Sequence, residues 1–251
     1  SAHVHIDRQR HRPGAAMSPM RQLALDIGLA PVPTLARFFA GPNEAALQHL
    51  RLAVEGASGG ALRSCLPVYL WGEAGSGKTH LLKAVQEALR TQGVRVGWMQ
   101  ASTENPPAFD EDWAAVLLDE VHLYSTGQQA AAFNWFVNAT SPATGAPRWV
   151  LAAGDLPPAD LPLRDDLRCR LGWGHVFQLH LLDEPARRAV LRQEADARGV
   201  FLGDEVMDYM LKRFSRDLGS LVQLLDRLDS FALRTQRAIT IPLLKTMLET
   251  E

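Results

Sequence analysis

Gly72-Glu73-Ala74-Gly75-Ser76-Gly77-Lys78-Thr79 is a complete G-x-x-x-x-G-K-[ST] phosphate loop. Glycines at these places let the backbone wrap closely, so that its N–H groups point at phosphate oxygens. Gly72, Gly75, Ser76, Gly77 and His80 are the expected cradle. Lys78 supplies a cation for the β- and γ-phosphates, and the Thr79 hydroxyl is a ligand for Mg2+. The flanks fit as well. An apolar, strand-like run, Pro67-Val-Tyr-Leu-Trp71, precedes the loop, and a helical pattern over Thr79–Thr91, closed by Gly93, follows it.

About forty residues on, Asp119 ends the apolar run Val116-Leu117-Leu118. A carboxylate at the C-terminal edge of a buried strand, beside the first strand, reaches the metal shell. Glu120 follows and is placed to polarise an attacking water. Asp155 comes directly after the strand-like Trp149–Ala153. It is expected between the first strand and the Asp119 strand, facing the γ-phosphate. The competing reading is an ordinary turn, Gly154-Asp-Leu-Pro-Pro158.

Strand-like runs also occur over 94–100, 114–118 and 176–181, with helical patterns over 43–55 and 127–139. From 184 on only helical patterns remain: 184–198, 203–214, 217–236 and 241–250. Alternation followed by helices alone predicts a parallel α/β sheet covered on both faces, then a small all-helical unit. Trp71, Trp98, Trp113, Trp135 and Trp149 sit in or beside apolar runs and read as core.

The 251 residues are 47% hydrophobic and 22% charged, with a formal net charge of −2. That suits a globular chain and does not advertise nucleic-acid binding. No apolar run is long enough to span a bilayer and no secretory signal is visible, so a cytoplasmic location is expected. Cys65 and Cys169 cannot build a disulfide framework. Residues 1–20 are polar and basic, without a period. His3, His5 and His11 there suggest either a metal site or, in the preferred reading, a disordered leader or remnant of expression.

Beyond the loop, several pieces match a family: Thr34…Phe38-Phe39-Ala40-Gly41, Gly154-Asp155, Arg170-Leu-Gly-Trp173-Gly174, Arg216-Asp-Leu218 and Arg237-Ala-Ile-Thr240-Ile241. Over roughly residues 22–249 the chain resembles the bacterial replication initiator DnaA across its ATPase region, and looks like the shorter Hda homologues that inactivate DnaA. The resemblance implies an AAA+ P-loop NTPase, with the nucleotide-binding α/β subdomain over 34–182 and a helical lid over 183–251. It makes Asp155 the first sensor and Arg216 the second, reaching the phosphates from the lid. Phe39 and Ala40 become the segment near adenine, and ADP or ATP with Mg2+ the cofactors.

The resemblance also makes Arg170, two residues before Gly-Trp-Gly, an arginine finger acting in trans, with Arg168 as a second contact. From the residues alone, surface ion pairs of both arginines with Asp165 and Asp166 are the preferred reading. In the Hda family a peptide beginning Gln-Leu binds the sliding clamp, the β subunit of DNA polymerase III. Here that is Gln22-Leu23-Ala-Leu25-Asp-Ile27, ahead of a linker within 21–33, with Leu23, Leu25 and Ile27 as anchors. An edge strand is its competing reading. The DNA-reading and helicase-loading domains of DnaA have no counterpart in this sequence, so DNA is expected only indirectly, through the clamp.

The implied role is regulatory inactivation of DnaA, with weak ATPase activity of the chain's own. Asp119-Glu120 departs from the Asp-Asp or Asp-Asn usual in DnaA relatives. It keeps open a second role as a self-contained ATPase, such as a helicase loader working as a homo-oligomer.

Overall fold

The computed structural model describes residues 32–55, 66–214 and 218–250. Five short strands form one parallel sheet: β1 (Val68–Trp71), β2 (Val96–Met99), β3 (Ala115–Leu118), β4 (Trp149–Gly154) and β5 (His175–Gln178). Their order is β2-β3-β4-β1-β5. β4 is therefore central, pairing Leu70 with Ala153 on one side and Leu117 with Leu151 on the other. The Asp119 strand is not beside the first strand as expected: β4 stands between them, and it is Asp155, at the end of β4, that occupies the middle.

Period-two alternation sorts the strand residues onto two faces. Val68 and Leu70 of β1, Ala115 and Leu117 of β3, and Trp149, Leu151 and Ala153 of β4 face one core. There they meet helices α1 (Glu44–Val54) and α2 (Lys78–Thr91). Tyr69, Val116, Leu118, Val150 and Ala152 face the other, against α3 (Thr126–Thr140) and α4 (Asp165–Leu171). Strands buried on both faces read as continuous apolar runs, which is why they stand out in the sequence. Trp113, Trp135 and Trp149 are buried, whereas Trp71 and Trp98 are only half-buried.

Four helices follow: α5 (Glu184–Ala197), α6 (Asp204–Arg213), α7 (Leu218–Thr235) and α8 (Ile241–Thr250). Asp183 caps α5, its carboxylate accepting from the Ala186 N–H at 2.9 Å, with Pro185 in the first turn. Leu191, Met207, Met210, Leu225, Leu228 and Leu244 close a separate core. No described helix is long and apolar enough to cross a membrane.

The candidate phosphate site and a surface arginine

Parallel strands gather the loops at their C-terminal ends, where α/β sheets bind ligands. The loop after β1 turns through Gly75 (φ 87°) and Gly77 (φ 97°), the latter capping α2. Only glycine takes these angles at little cost. A Cβ on Gly77 would also lie 2.7 Å from Phe38 Cε2. Lys78 is buried, and its ammonium donates to the carbonyls of Gly72 (2.6 Å) and Glu73 (2.9 Å). Its third partner is an ion pair with Asp155 Oδ1 at 2.9 Å.

Asp119 is almost fully buried, and burial pushes its carboxyl above the usual carboxylate range. A hydrogen bond from Thr79, the Glu120 N–H at 2.9 Å, and the nearby Lys78 pull it back down. Thr79 and Asp119 thus set two hard oxygens side by side at the head of α2. That pair suits a cation that keeps most of its water and takes phosphate oxygens as further ligands. The described residues hold no cluster of three or more metal-ligating side chains.

Glu120 adopts a left-handed backbone (φ 55°), uncommon for a residue with a side chain. Its carboxylate accepts the Ala101 N–H at 3.2 Å, at the mouth of β2. Gln128, buried on α3, holds that mouth in shape. Its amide donates to the carbonyls of Gln100, Ala101 and Thr103 (3.2, 2.9 and 2.8 Å). Its oxygen accepts the Ser125 N–H, completing a capping box.

Gly154 exists because there is no room for more: a Cβ there would meet the Tyr69 hydroxyl and Val121. The Tyr69 hydroxyl donates to the Leu156 carbonyl at 2.7 Å, and its pKa is driven up by burial and then by Asp155. This packing fixes the turn that carries Asp155. His122 completes the site. Its Nδ1 accepts the Asp155 N–H (3.2 Å), and its Nε2 lies 3.2 Å from Asp155 Oδ2.

Phe38 and His80 pack ring to ring at 5.5 Å beside the loop. Burial lowers the His80 pKa, opposed by a hydrogen bond with the Thr34 backbone and by Glu194. Phe39 instead lies near Gly41, and Ala40 is buried. Asn43 exchanges two hydrogen bonds with the His180 backbone (3.0 and 2.8 Å), while Leu182 packs on Gly41, where α5 is about to begin.

Arg170 lies on α4, a seven-residue helix absent from the sequence reading. Arg164 pairs with Asp166 (2.6 Å) and Arg168 with Asp165 (2.5 Å), both ends exposed or half-exposed. Arg170 makes no ion pair among the described residues. Its guanidinium stacks over Phe133 (5.2 Å) and Trp173 (4.5 Å). Trp173 is itself 61% exposed. A Cβ on Gly174 would collide with the Pro67 carbonyl, which accepts the His175 N–H at 2.9 Å. Arg216, Gln22, Leu23, Leu25 and Ile27 lie outside the described residues. Phe38, His122 and Gln128 are the additions to the site that the sequence reading lacks.

The bacterial DnaA ATPase domain model matches residues 30–105, and the Hda lid domain model matches 183–248. Domain III of DnaA from Thermotoga maritima superposes with TM-score 0.69 at 21% identity, over 88% of this chain and 97% of that one. AMPPCP-bound DnaA from Aquifex aeolicus gives 0.61 at 24%, over 80% and 66%. The RuvB Holliday junction branch migration motor of Thermotoga maritima gives 0.58 at 16%, over 83% and 69%. At these identities the structural likeness speaks for the fold. One family match falls on the phosphate loop and one on the helical lid, and with the shared fold they support a DnaA-related AAA+ protein close to Hda.

Proposed function

We propose that this chain is a nucleotide-bound regulator that inactivates DnaA. Residues 34–182 hold ADP or ATP with Mg2+, residues 183–251 close over it, and Gln22–Ile27 dock on the DNA-loaded sliding clamp. Thr79 and Asp119 would hold a Mg2+ whose charge offsets that of the phosphates. Lys78 and the loop N–H groups bind the phosphates. Arg216 reaches the phosphates from the lid. Arg170 is offered in trans to ATP held by DnaA, where a guanidinium stabilises charge developing on the transferred phosphoryl group.

The observation that carries this reading is Arg170 itself. Its neighbours Arg164 and Arg168 are spent on carboxylates, while Arg170 rests on two aromatic rings at the surface. A ring face orients a guanidinium and leaves its N–H donors available. The test is hydrolysis of ATP pre-bound to DnaA, with DNA-loaded clamp, comparing the native chain with Arg170→Ala. Stimulation lost in Arg170→Ala is expected; equal stimulation by both forms refutes the role. Clamp pull-downs unaffected by Gln22→Ala with Leu23→Ala refute the docking half.

A second reading rests on Glu120, whose strained backbone and tethered carboxylate are the marks of a functional position. In that reading the chain is a self-contained ATPase. It requires substantial turnover by the purified protein, abolished in Glu120→Gln.

A further inference from the structure

The Lys78 ammonium has three N–H donors. Two carbonyls and Asp155 Oδ1 occupy them at 2.6, 2.9 and 2.9 Å, with Ser76 Oγ at a longer 3.5 Å. An arriving phosphate must displace one partner, and the two carbonyls belong to the loop that cradles it. The partner to move is Asp155, whose anionic carboxylate would otherwise face the incoming anion. Its other oxygen, Oδ2, already lies 3.2 Å from His122 Nε2. The His122 side chain is only 16% exposed. Its Nδ1 is committed to the Asp155 N–H, which leaves the proton on Nε2, facing the carboxylate. His122 sits on a single helical turn, Val121–Leu123, directly after Glu120. It therefore grips Asp155 by both main chain and side chain.

We propose that His122 is a positioning residue that draws Asp155 off Lys78 when a nucleoside di- or triphosphate enters. With His122 present, the carboxylate is shared and leaves Lys78 at small cost. Without it, Lys78 is the one side chain left holding the Asp155 carboxylate among the described residues, and the carboxylate competes with phosphate for the ammonium. Loss of the grip removes a hydrogen bond to a charged group and weakens nucleotide binding about tenfold. Glutamine reproduces both contacts, because its carbonyl accepts and its amide donates; leucine supplies neither.

The inference rests on the nucleotide-binding reading above, and one experiment separates the two. N-methylanthraniloyl-ADP and -ATP are titrated with Mg2+ into the native full chain, His122→Leu, His122→Gln, Asp155→Asn and the His122→Leu/Asp155→Asn double variant, with thermal melts of each. His122→Leu is expected to raise Kd about tenfold, His122→Gln to stay within about twofold of native, and His122→Leu to add nothing in the Asp155→Asn background. A native chain that binds neither nucleotide overturns the nucleotide reading and this inference with it. A native chain that binds, with an undiminished His122→Leu, overturns the inference alone. So does a loss that persists in the Asp155→Asn background or in His122→Gln, since that is a packing effect.

Discussion

Removing the ring under the surface arginine should weaken trans action without removing the arginine. In Trp173→Ala the guanidinium of Arg170 loses the closer of its two aromatic contacts, 4.5 Å, and keeps Phe133 at 5.2 Å. Because Trp173 is 61% exposed, the contact is worth about 0.5–1 kcal/mol. Spread over rotamers, that lowers the time spent in the presented geometry about two- to fivefold, and stimulated hydrolysis of DnaA-bound ATP should fall by the same factor. Phe133→Leu added to it should bring the loss to about five- to thirtyfold, twice the free energy. Arg170→Ala should cost about 10³-fold or more. The assay is single-turnover release of phosphate from pre-loaded DnaA. In the Arg170→Ala background, Trp173→Ala should do nothing further. A loss in that background, or a Trp173→Ala loss as large as that of Arg170→Ala with unchanged melting, would mean that Trp173 itself contacts the partner.

Gly77→Ala should abolish nucleotide binding by fluorescence titration and lower Tm, because φ 97° and the Phe38 ring 2.7 Å from the new Cβ both oppose it. Gln128→Ala should destabilise the chain by about 2–3 kcal/mol in urea denaturation, as it removes the Gln128 half of the capping box and frees three carbonyls at the β2 mouth. Stability should also fall with pH. Burial, and then the charge of His175, depress the His49 pKa, and burial depresses that of His80. Their neutral forms contribute stability above the ordinary histidine value of about 6.5, which is lost as pH falls through the depressed folded values. Urea midpoints from pH 8 to pH 5 should drop, and His49→Leu should shallow the drop.

The phosphate loop was legible because its chemistry is local: eight consecutive residues set the backbone angles and the charges together. Strands β1, β3 and β4 were legible because burial on both faces leaves uninterrupted apolar runs, whereas β5, His175–Gln178, is largely exposed and the run expected for it, 176–181, lies later in the chain. Helix α4 was not, since Asp165-Asp-Leu-Arg-Cys-Arg-Leu171 is four-sevenths charged and too short to show a period. Phe38 and Phe39 are adjacent, and only the tertiary fold decides which ring meets Gly77. His122 meets Asp155 across 33 residues of chain, a pairing that no local pattern encodes. Gln128 did carry a signal in its spacing from Ser125, but that marks a helix start, not the three carbonyls it holds.

The two hydrogen bonds between Asn43 and His180, with Leu182 lodged on Gly41, have a mechanical meaning. They weld the entry of the α/β subdomain to the exit leading into α5. Tension applied to the chain ahead of Gly41 is therefore shared between the α/β core, where Leu35 and Ala40 are buried, and the root of the lid. A load on either side of this joint is thus felt on the other, because Asn43 ties the two ends of the α/β subdomain together.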